Sequence, residues 1–492
     1  MIKGLLKTAT TRKHSCNCCG ATGLTRKDRH DLNEGWYGRS DLPTTLLFPG
    51  LCYATFNSLD IRIPQTRREA LSGNDAKEWM RAEREEMGSM LTNHVYTPIK
   101  LTDVPKGANI CDSRFVYDVK THADGTLEKY KVRWVAKGFS QRKGKDYWET
   151  FSPVVRMSSV RTLLSIATAA GLQVRQCDIK TAFLEADLEE EIYVRPPEGY
   201  EGEVYKLHRA LYGLKQSSRE FNKLLTSVLR ELGYHPLRSD TCILRKVKRG
   251  ANGKAKVTLV GAYVDDLIIT GNDNEEIEAV VQGLQQRFRV KDLGALRQIL
   301  GCHWERRSDG TSIFKQTKTI NDIVNRFQLS HLPAVSTPAV VGERMDATWS
   351  PKAGSDEHRK MNASPVKKRQ RGIKEVIKVE HMSLTTQFRA IVGSLLWIGR
   401  CTRPDIMHVV SELSRAMQNP GERHLKRAIR VVQYLKGTKD RGIVWHKRAG
   451  KFKANQLYTF SDASFADRAN AKSSYGYLTC LNGGPVDYAS KS

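Results

Sequence analysis

The residues that most restrict this chain are Tyr263-Val264-Asp265-Asp266. They lie between two apolar runs, Val257-Thr-Leu-Val-Gly-Ala262 and Leu267-Ile-Ile-Thr270. The runs read as two short strands, with the acidic pair at the tip of a tight hairpin. An unpaired buried carboxylate costs on the order of several kcal/mol. A polar turn alone would explain an Asp-Asp pair. Here, however, Gly271-Asn272-Asp273 already ends the second strand. The pair interrupts a run that would otherwise continue, which favours a site. A divalent cation would make the two carboxylates ligands, because Mg2+ takes one or two carboxylates together with substrate phosphates. Phosphoryl transfer with two such ions is the chemistry this suggests.

The rest of the composition points the same way. The net charge is +27 over 492 residues, so a polyanion is the expected partner and nucleic acid the first choice. The length allows roughly two to four domains. No apolar run of about 18 residues occurs, so no membrane partner is expected. Met1 to Arg12 lacks the apolar core of a secretory signal. The cysteines are mostly scattered singly, which suits a reducing compartment.

Along the chain, residues 1–65 show little pattern. His14, Cys16, Cys18 and Cys19 cluster there. Zinc needs two ligand pairs at workable spacing, and Cys18 and Cys19 are adjacent with no second pair nearby, so an irregular leader is the better reading. A helix is expected from near Asn74, with Ala76, Trp79, Met80, Met87 and Leu91 on its apolar face. Phe115–Lys120 and Lys129–Ala136 read as a hairpin around Asp124-Gly125. Its second strand carries Lys129, Lys131 and Arg133 in alternation, then Lys137. Residues two apart share a face, so these cations form a stripe. A solvated edge strand also carries lysines; the charge of the whole chain favours a phosphate-facing role.

Ser158-Ser159 is expected to cap a helix that stops at Gly171. The strand Gln173–Asp178 follows. Its terminal carboxylate reads as a helix cap or, beside Asp265 and Asp266 on a neighbouring strand, as a third metal ligand. Leu211–Gln216 opens a helix that stops at Gly233. Asn274–Phe288 is a further amphipathic helix. Val290–Gly301 leads into a hairpin turning at Asp309-Gly310, and Thr317–Leu329 is helical. From Ser336 to about Ser383 the chain is polar and carries the basic run Lys367-Lys-Arg-Gln-Arg371. It reads as a linker, and the run as a solvated stretch, a nuclear address or a nucleic-acid patch. Helices over Leu384–Gly399, Asp405–Gln418 and Glu422–Lys436 precede strands at Leu457–Ser461, Tyr475–Cys480 and Val486–Ala489.

Several of these segments carry a resemblance. They include Tyr130-Lys-Val-Arg-Trp-Val-Ala-Lys-Gly-Phe-Ser-Gln141, Glu149-Thr-Phe-Ser-Pro-Val-Val155 and Asp178-Ile-Lys-Thr-Ala-Phe-Leu184. Leu211-Tyr-Gly-Leu-Lys-Gln216, Tyr263–Asp266, Lys291-Asp-Leu-Gly294, Val392-Gly-Ser-Leu-Leu396 and Thr402-Arg-Pro-Asp-Ile406 continue the series. In this order they resemble the polymerase part of a copia-type LTR retrotransposon polyprotein, over roughly Ala70 to Ser492.

The resemblance implies an α+β, right-hand polymerase with fingers, palm and thumb and an antiparallel palm sheet. A connection region and an incomplete RNase H-like α/β domain would follow. The implied segments are the leader (1–65), fingers and palm (66–335), the basic linker (336–383), a helical thumb or connection-like region (384–450) and a truncated RNase H-like segment (451–492). Asp178, Asp265 and Asp266 match the palm carboxylates that hold two Mg2+, with Mn2+ as a substitute. Arg133, and Lys131 beside it, match groups on the incoming triphosphate. Phe183 matches the aromatic gate that clashes with a ribose 2′-hydroxyl; read from the residues alone it is an ordinary core aromatic. Tyr212 and Gly213 match the floor of the nucleotide pocket. Leu300 and Gly301 lie in a match to the primer-holding hairpin.

Two departures stand out. Ser217-Ser218 replaces the family's Ala-Pro after Lys215-Gln216, which leaves the helix start less constrained. Asp462 matches a first RNase H metal ligand, but only 30 residues follow it, so no RNase H activity is expected. The implied function is RNA-directed DNA polymerisation, with dNTPs, an RNA template and a DNA or RNA primer as partners. The alternative is a catalytically decayed polyprotein fragment that still binds nucleic acid. The expected location is intracellular, in cytoplasmic virus-like particles or the nucleus.

Overall fold

The computed structural model describes residues 63–121, 126–250, 253–340, 342–343, 345, 347–363, 382–447, 454–465 and 473–491. His14, Cys16, Cys18, Cys19, the Asp124-Gly125 turn and the Lys367–Arg371 run lie outside the described residues. Leu59–Ser492 form one compact unit.

In chain order the elements are α1 (Arg67–Ser72), α2 (Ala76–Thr92), β1 (Tyr96–Ile99), β2 (Ile110–Cys111), β3 (Ser113–Thr121), β4 (Leu127–Ala136), α3 (Met157–Ala170), β5 (Val174–Ile179), β6 (Asp187–Val194) and β7 (Val204–Arg209). Next come α4 (Ser217–Glu231), β8 (His235–Pro236), β9 (Ile243–Arg249), β10 (Ala255–Tyr263), β11 (Asp266–Gly271), α5 (Asn274–Arg287) and β12 (Val290–Ala295). Then follow β13 (Gln298–Ile299), β14 (Cys302–Arg306), β15 (Ser312–Lys315), α6 (Thr317–Arg326), α7 (Asp356–Asn362), α8 (Leu384–Cys401), α9 (Met407–Arg415) and α10 (Glu422–Gly437). The described chain closes with β16 (Ile443–Trp445), β17 (Leu457–Ser464), β18 (Ser474–Leu481) and β19 (Gly484–Lys491).

The central sheet has the order β12-β5-β11-β10-β9-β8, and every pairing in it is antiparallel. This is the antiparallel palm sheet that the resemblance implies. Alternation along β11 explains its position. Leu267 and Ile269 pack under α4 and α5, against Phe221, Leu225, Val280 and Leu284. Ile268 faces the other way, toward Leu163, Leu164 and Val174 on and near α3. A strand covered on both faces needs no polar alternation, which is why the run after the acidic pair is continuously apolar.

Two local expectations are corrected. On α2 the buried residues are Trp79, Ala82, Glu83, Met87 and Met90, whereas Met80 and Leu91 are exposed. Each step along a helix turns about 100°, so Met80 falls off the stripe that Trp79 and Glu83 define. On α3 the N-cap is Arg156. Ser159 instead lies inside the first turn and its hydroxyl donates to Asp240 Oδ2 at 2.6 Å. The stop at Gly171 is as expected, in the left-handed region at φ 67°.

Beyond the palm, α6, α8 and α10 share one core built from Ile320, Phe327, Phe388, Leu395, Val431 and Leu435. The stretch expected as a linker takes part in packing. Ser355 caps α7, and Trp349 is buried, with the His424 ring 5.4 Å away and the Arg423 guanidinium over its own ring at 4.2 Å. Burying one large aromatic outweighs the polar composition around it.

β17, β18 and β19 form an antiparallel sheet that is stitched to the back of the palm through Arg161 on α3. This arginine is 3% exposed. It donates to the carbonyls of Val486, Arg400 and Cys401 and to the Tyr488 hydroxyl, and its guanidinium lies 4.3 Å over the Tyr488 ring. Asn482 reaches Ser165 beside it. No helix among the described residues is long and apolar enough to cross a membrane.

Candidate active site

The hairpin β10–β11 closes with Tyr263 opposite Asp266, leaving Val264 and Asp265 as its two-residue tip. Val264 has φ 55°, a conformation that β-branched residues seldom adopt and that persists where the surroundings enforce it. β5 lies alongside β11 in register, so Asp178 is directly opposite Asp266. The Ile179 amide donates to the Asp265 carbonyl at 3.0 Å. Opposite residues of an antiparallel pair project from the same face, about 4.5–5.5 Å apart at Cβ. On its other side Asp178 faces Lys291 of β12. Lys291, Asp178 and Asp266 therefore form a row across three strands, with Asp265 at the end of the hairpin.

The carboxylates strain one another electrostatically. Burial, then the charges of Asp265 and Asp178, push Asp266 up to about 6, with a Gln176 hydrogen bond opposing. Asp265 is open to water yet surrounded by protein. This crowding, with the charge of Asp178, raises its pKa against the pull of its own amide, Lys131 and Arg133. A divalent cation would relieve this repulsion, and the three groups offer the hard oxygen donors that Mg2+ takes. Among the described residues no group of three or more His, Cys, Asp or Glu is placed where it could hold a metal ion. Mg2+ sites completed by substrate phosphates need no such group.

The cations of β4 act on Asp265 through their charge. Arg133 lies 3.9 Å from Asp118, and its guanidinium is 5.9 Å from the centre of the Tyr212 ring. Lys131 is half-buried; burial, then the charges of Arg133 and Lys120, lower it to about 8. Sequence reasoning missed a group that acts electrostatically on both, Glu86 of α2. It accepts the Trp134 amide at 3.1 Å. Burial raises its pKa, and Trp134, Lys131 and Arg133 oppose the rise. Its signal was a carboxylate on the buried stripe of α2, together with Glu83.

The Phe183 ring meets the Tyr212 ring edge-on at 5.1 Å. Arg133, Tyr212 and Phe183 thus make a continuous line beside the carboxylates. Tyr212 and Gly213 are fastened from behind: the Ala136 amide donates to the Tyr212 carbonyl at 2.8 Å. Gly213 has φ 91°, and a Cβ there would lie 2.1 Å from the Ala136 carbonyl oxygen, so the crossing requires glycine. The Ser217-Ser218 departure is put to use. Ser217 donates to the Leu211 carbonyl at 2.6 Å, and Ser218 donates to Ser152 at 3.1 Å, so hydroxyls hold the start of α4.

Leu300 and Gly301, at φ 51° and 73°, form the two-residue tip between β13 and β14. Positive φ at both positions is the geometry of a tight hairpin. Asp462 stands apart from the three palm acids, exposed on β17 opposite Gly476.

Residues 93–341 match the family described as reverse transcriptase (RNA-dependent DNA polymerase). The chain belongs to that family. Among named relatives, it is 37% identical over 438 residues to the retrovirus-related Pol polyprotein from transposon TNT 1-94 of Nicotiana tabacum, covering 88% of this chain and 30% of that protein. It is 32% identical over 434 residues to the Pol polyprotein from transposon RE1 of Arabidopsis thaliana, covering 87% and 26%. It is 25% identical over 436 residues to the truncated transposon Ty1-A Gag-Pol polyprotein of Saccharomyces cerevisiae, covering 84% and 33%. The copia-type resemblance is borne out, and the chain spans a third or less of the length of these relatives.

Proposed function

We propose that this chain is an RNA-directed DNA polymerase that transfers dNTPs to a primer 3′ end. The observation that carries this reading is the row of Asp178 and Asp266 with Asp265 at the tip, in a chain of the reverse transcriptase family.

In this reading Asp178, Asp265 and Asp266 hold two Mg2+, or Mn2+ in its place. When bound, these ions lower the pKa of the attacking hydroxyl and neutralise charge on the triphosphate. Arg133 presents a guanidinium fork to phosphate oxygens, and Lys131 adds a second cation. Glu86 orients both by holding β4 through the Trp134 amide. The Phe183 ring fills the space of a ribose 2′-hydroxyl and so selects dNTPs. Tyr212 and Gly213 floor the pocket. Leu300 and Gly301 steady the primer strand. The hydroxyl attacks the α phosphorus and pyrophosphate leaves in line. RNA template, primer and dNTPs are thus the partners, inside the cell, in cytoplasmic particles or the nucleus.

The test is pyrophosphate release from dTTP on a homopolymer RNA template with a DNA primer. Release that requires both template and primer supports the proposal. Binding of the template-primer without release favours the decayed-fragment reading instead.

A further inference from the structure

Two thiols from distant parts of the chain meet inside the fold. Cys302 opens β14, directly after the Leu300-Gly301 tip, and Cys401 is the last residue of α8. Both are buried in one core with Phe314, Ile443 and Tyr488. Their side chains share a hydrogen bond, and Cys302 Sγ also donates to the Leu300 carbonyl at 3.7 Å. Cys111, Cys177, Cys242 and Cys480 are the other described cysteines, and the groups that shift them are not thiols.

The charge beside this pair is as telling as the contact. Arg161 is buried there. Among the described residues no carboxylate pairs with it: its partners are the carbonyls of Val486, Arg400 and Cys401 and the Tyr488 hydroxyl. A buried guanidinium without an acid is costly, and an arginine next to a thiol favours the thiolate, which is the reactive form. Both thiols act on Tyr488 through their charge, and Arg161 acts on Cys302.

Burial opposes that activation. Burial, then the hydrogen bond with Cys401, holds the Cys302 thiol well above its usual range, against the pull of Arg161. At rest the pair is therefore a guarded dithiol, as a reducing compartment requires. Disulfides in such compartments are mostly transient and answer to oxidants.

We propose that Cys302 and Cys401 are an oxidation site: a hydroperoxide converts them to a disulfide that clasps the Leu300-Gly301 hairpin to the end of α8. The Cys302 thiolate attacks one peroxide oxygen and the O–O bond breaks. The departing hydroxide takes the thiol proton and leaves as water, and Cys302 becomes a sulfenic acid. The Cys401 sulfur then attacks the Cys302 sulfur. The S–S bond forms, and the hydroxyl leaves as water with the second thiol proton. Two thiols are oxidised and one hydrogen peroxide is reduced to two waters. The clasp closes the chain over residues 302–401, and a crosslink across so long a loop restricts the unfolded chain strongly. It does not depend on the polymerase reading.

The test uses the full chain, treated in its native state with hydrogen peroxide, alkylated with N-ethylmaleimide, digested and read by mass spectrometry. Thermal denaturation is followed in parallel for wild type, Cys302→Ser, Cys401→Ser and Cys480→Ser, with circular dichroism to check folding. A Cys302–Cys401 linked peptide is expected, with a Tm raised by roughly 3 to 10 °C, and dithiothreitol reverses both. Cys302→Ser and Cys401→Ser lose the shift, whereas Cys480→Ser keeps it. Alkylated thiols at both positions after peroxide, a link from either to another cysteine, or a Tm that stays or falls overturns the clasp. Should a serine variant fail to fold, the linked peptide and the reversible Tm shift of wild type decide alone.

Discussion

Asp266 is the register partner of Asp178, so two acids from strands nearly ninety residues apart in sequence project from one face of one sheet. Burial, then the charges of Asp265 and Asp178, raises Asp266 to about 6 from an ordinary 3.8. Because the folded pKa is raised, the stabilisation from holding the proton is complete below about pH 4. It is lost as pH rises through about 6. In chelator, Asp266→Asn is therefore expected to melt at least about 1 °C above wild type at pH 7.5, with the gap closing toward pH 4. Added Mg2+ should raise the wild-type Tm more than that of the variant. Thermal denaturation across pH reads both effects, and a wild type that gains stability from pH 4 to 7.5 relative to the variant would count against the pairing.

Phe183 should set sugar selectivity. Its ring sits edge-on to Tyr212 at 5.1 Å, so a smaller residue opens space without unseating the tyrosine. Phe183→Val is expected to lower the dNTP-over-rNTP ratio in kcat/KM by about 10- to 200-fold. Steady-state kinetics with matched nucleotides measures this, and an unchanged ratio removes the gate assignment.

Glu86 should act through Lys131 and Arg133. Glu86→Gln keeps the bond to the Trp134 amide but removes a charge that raises Lys131. Lys131 is lowered to about 8, so its cationic form is lost as pH rises through that value. The KM for dNTP should rise on the alkaline side, and in Glu86→Gln that rise should begin at lower pH while kcat changes little. Identical KM profiles for the two proteins would show that Glu86 only supports the fold.

Arg161 should matter for stability out of proportion to its distance from the sheet edge. Arg161→Ala leaves the carbonyls of Val486, Arg400 and Cys401 without this donor. A buried acceptor left unpaired costs about 1–3 kcal/mol. A fall in Tm of several degrees is expected, with early loss of protection in β17–β19 by hydrogen exchange. A neutral outcome would mean that the C-terminal sheet is only loosely attached.

Much of this was legible in the sequence because it is local. Apolar runs and turn residues marked the β10–β11 hairpin with its acidic tip, and Gly171 marked the end of α3. What escaped depends on register and distant packing. No period along the chain places Lys291 opposite Asp178. Nor does any place Glu86 behind Trp134, or Arg161 under strands more than three hundred residues later. The face of α2 was misjudged because the hairpin β3–β4, and not the helix alone, decides which side is buried. Ser217 and Ser218 looked like a loss because the Leu211 carbonyl, six residues back, and Ser152, in another segment, are not visible as partners in the sequence.

The most direct test is primer extension on a homopolymer RNA template with Mg2+, comparing wild type with Asp265→Asn at equal template-primer occupancy. Wild type is expected to incorporate dNTP, weakly but measurably. The variant should fall by about a thousandfold or more while binding template-primer as before. Incorporation that survives Asp265→Asn, or a wild type that binds and extends nothing, contradicts the account.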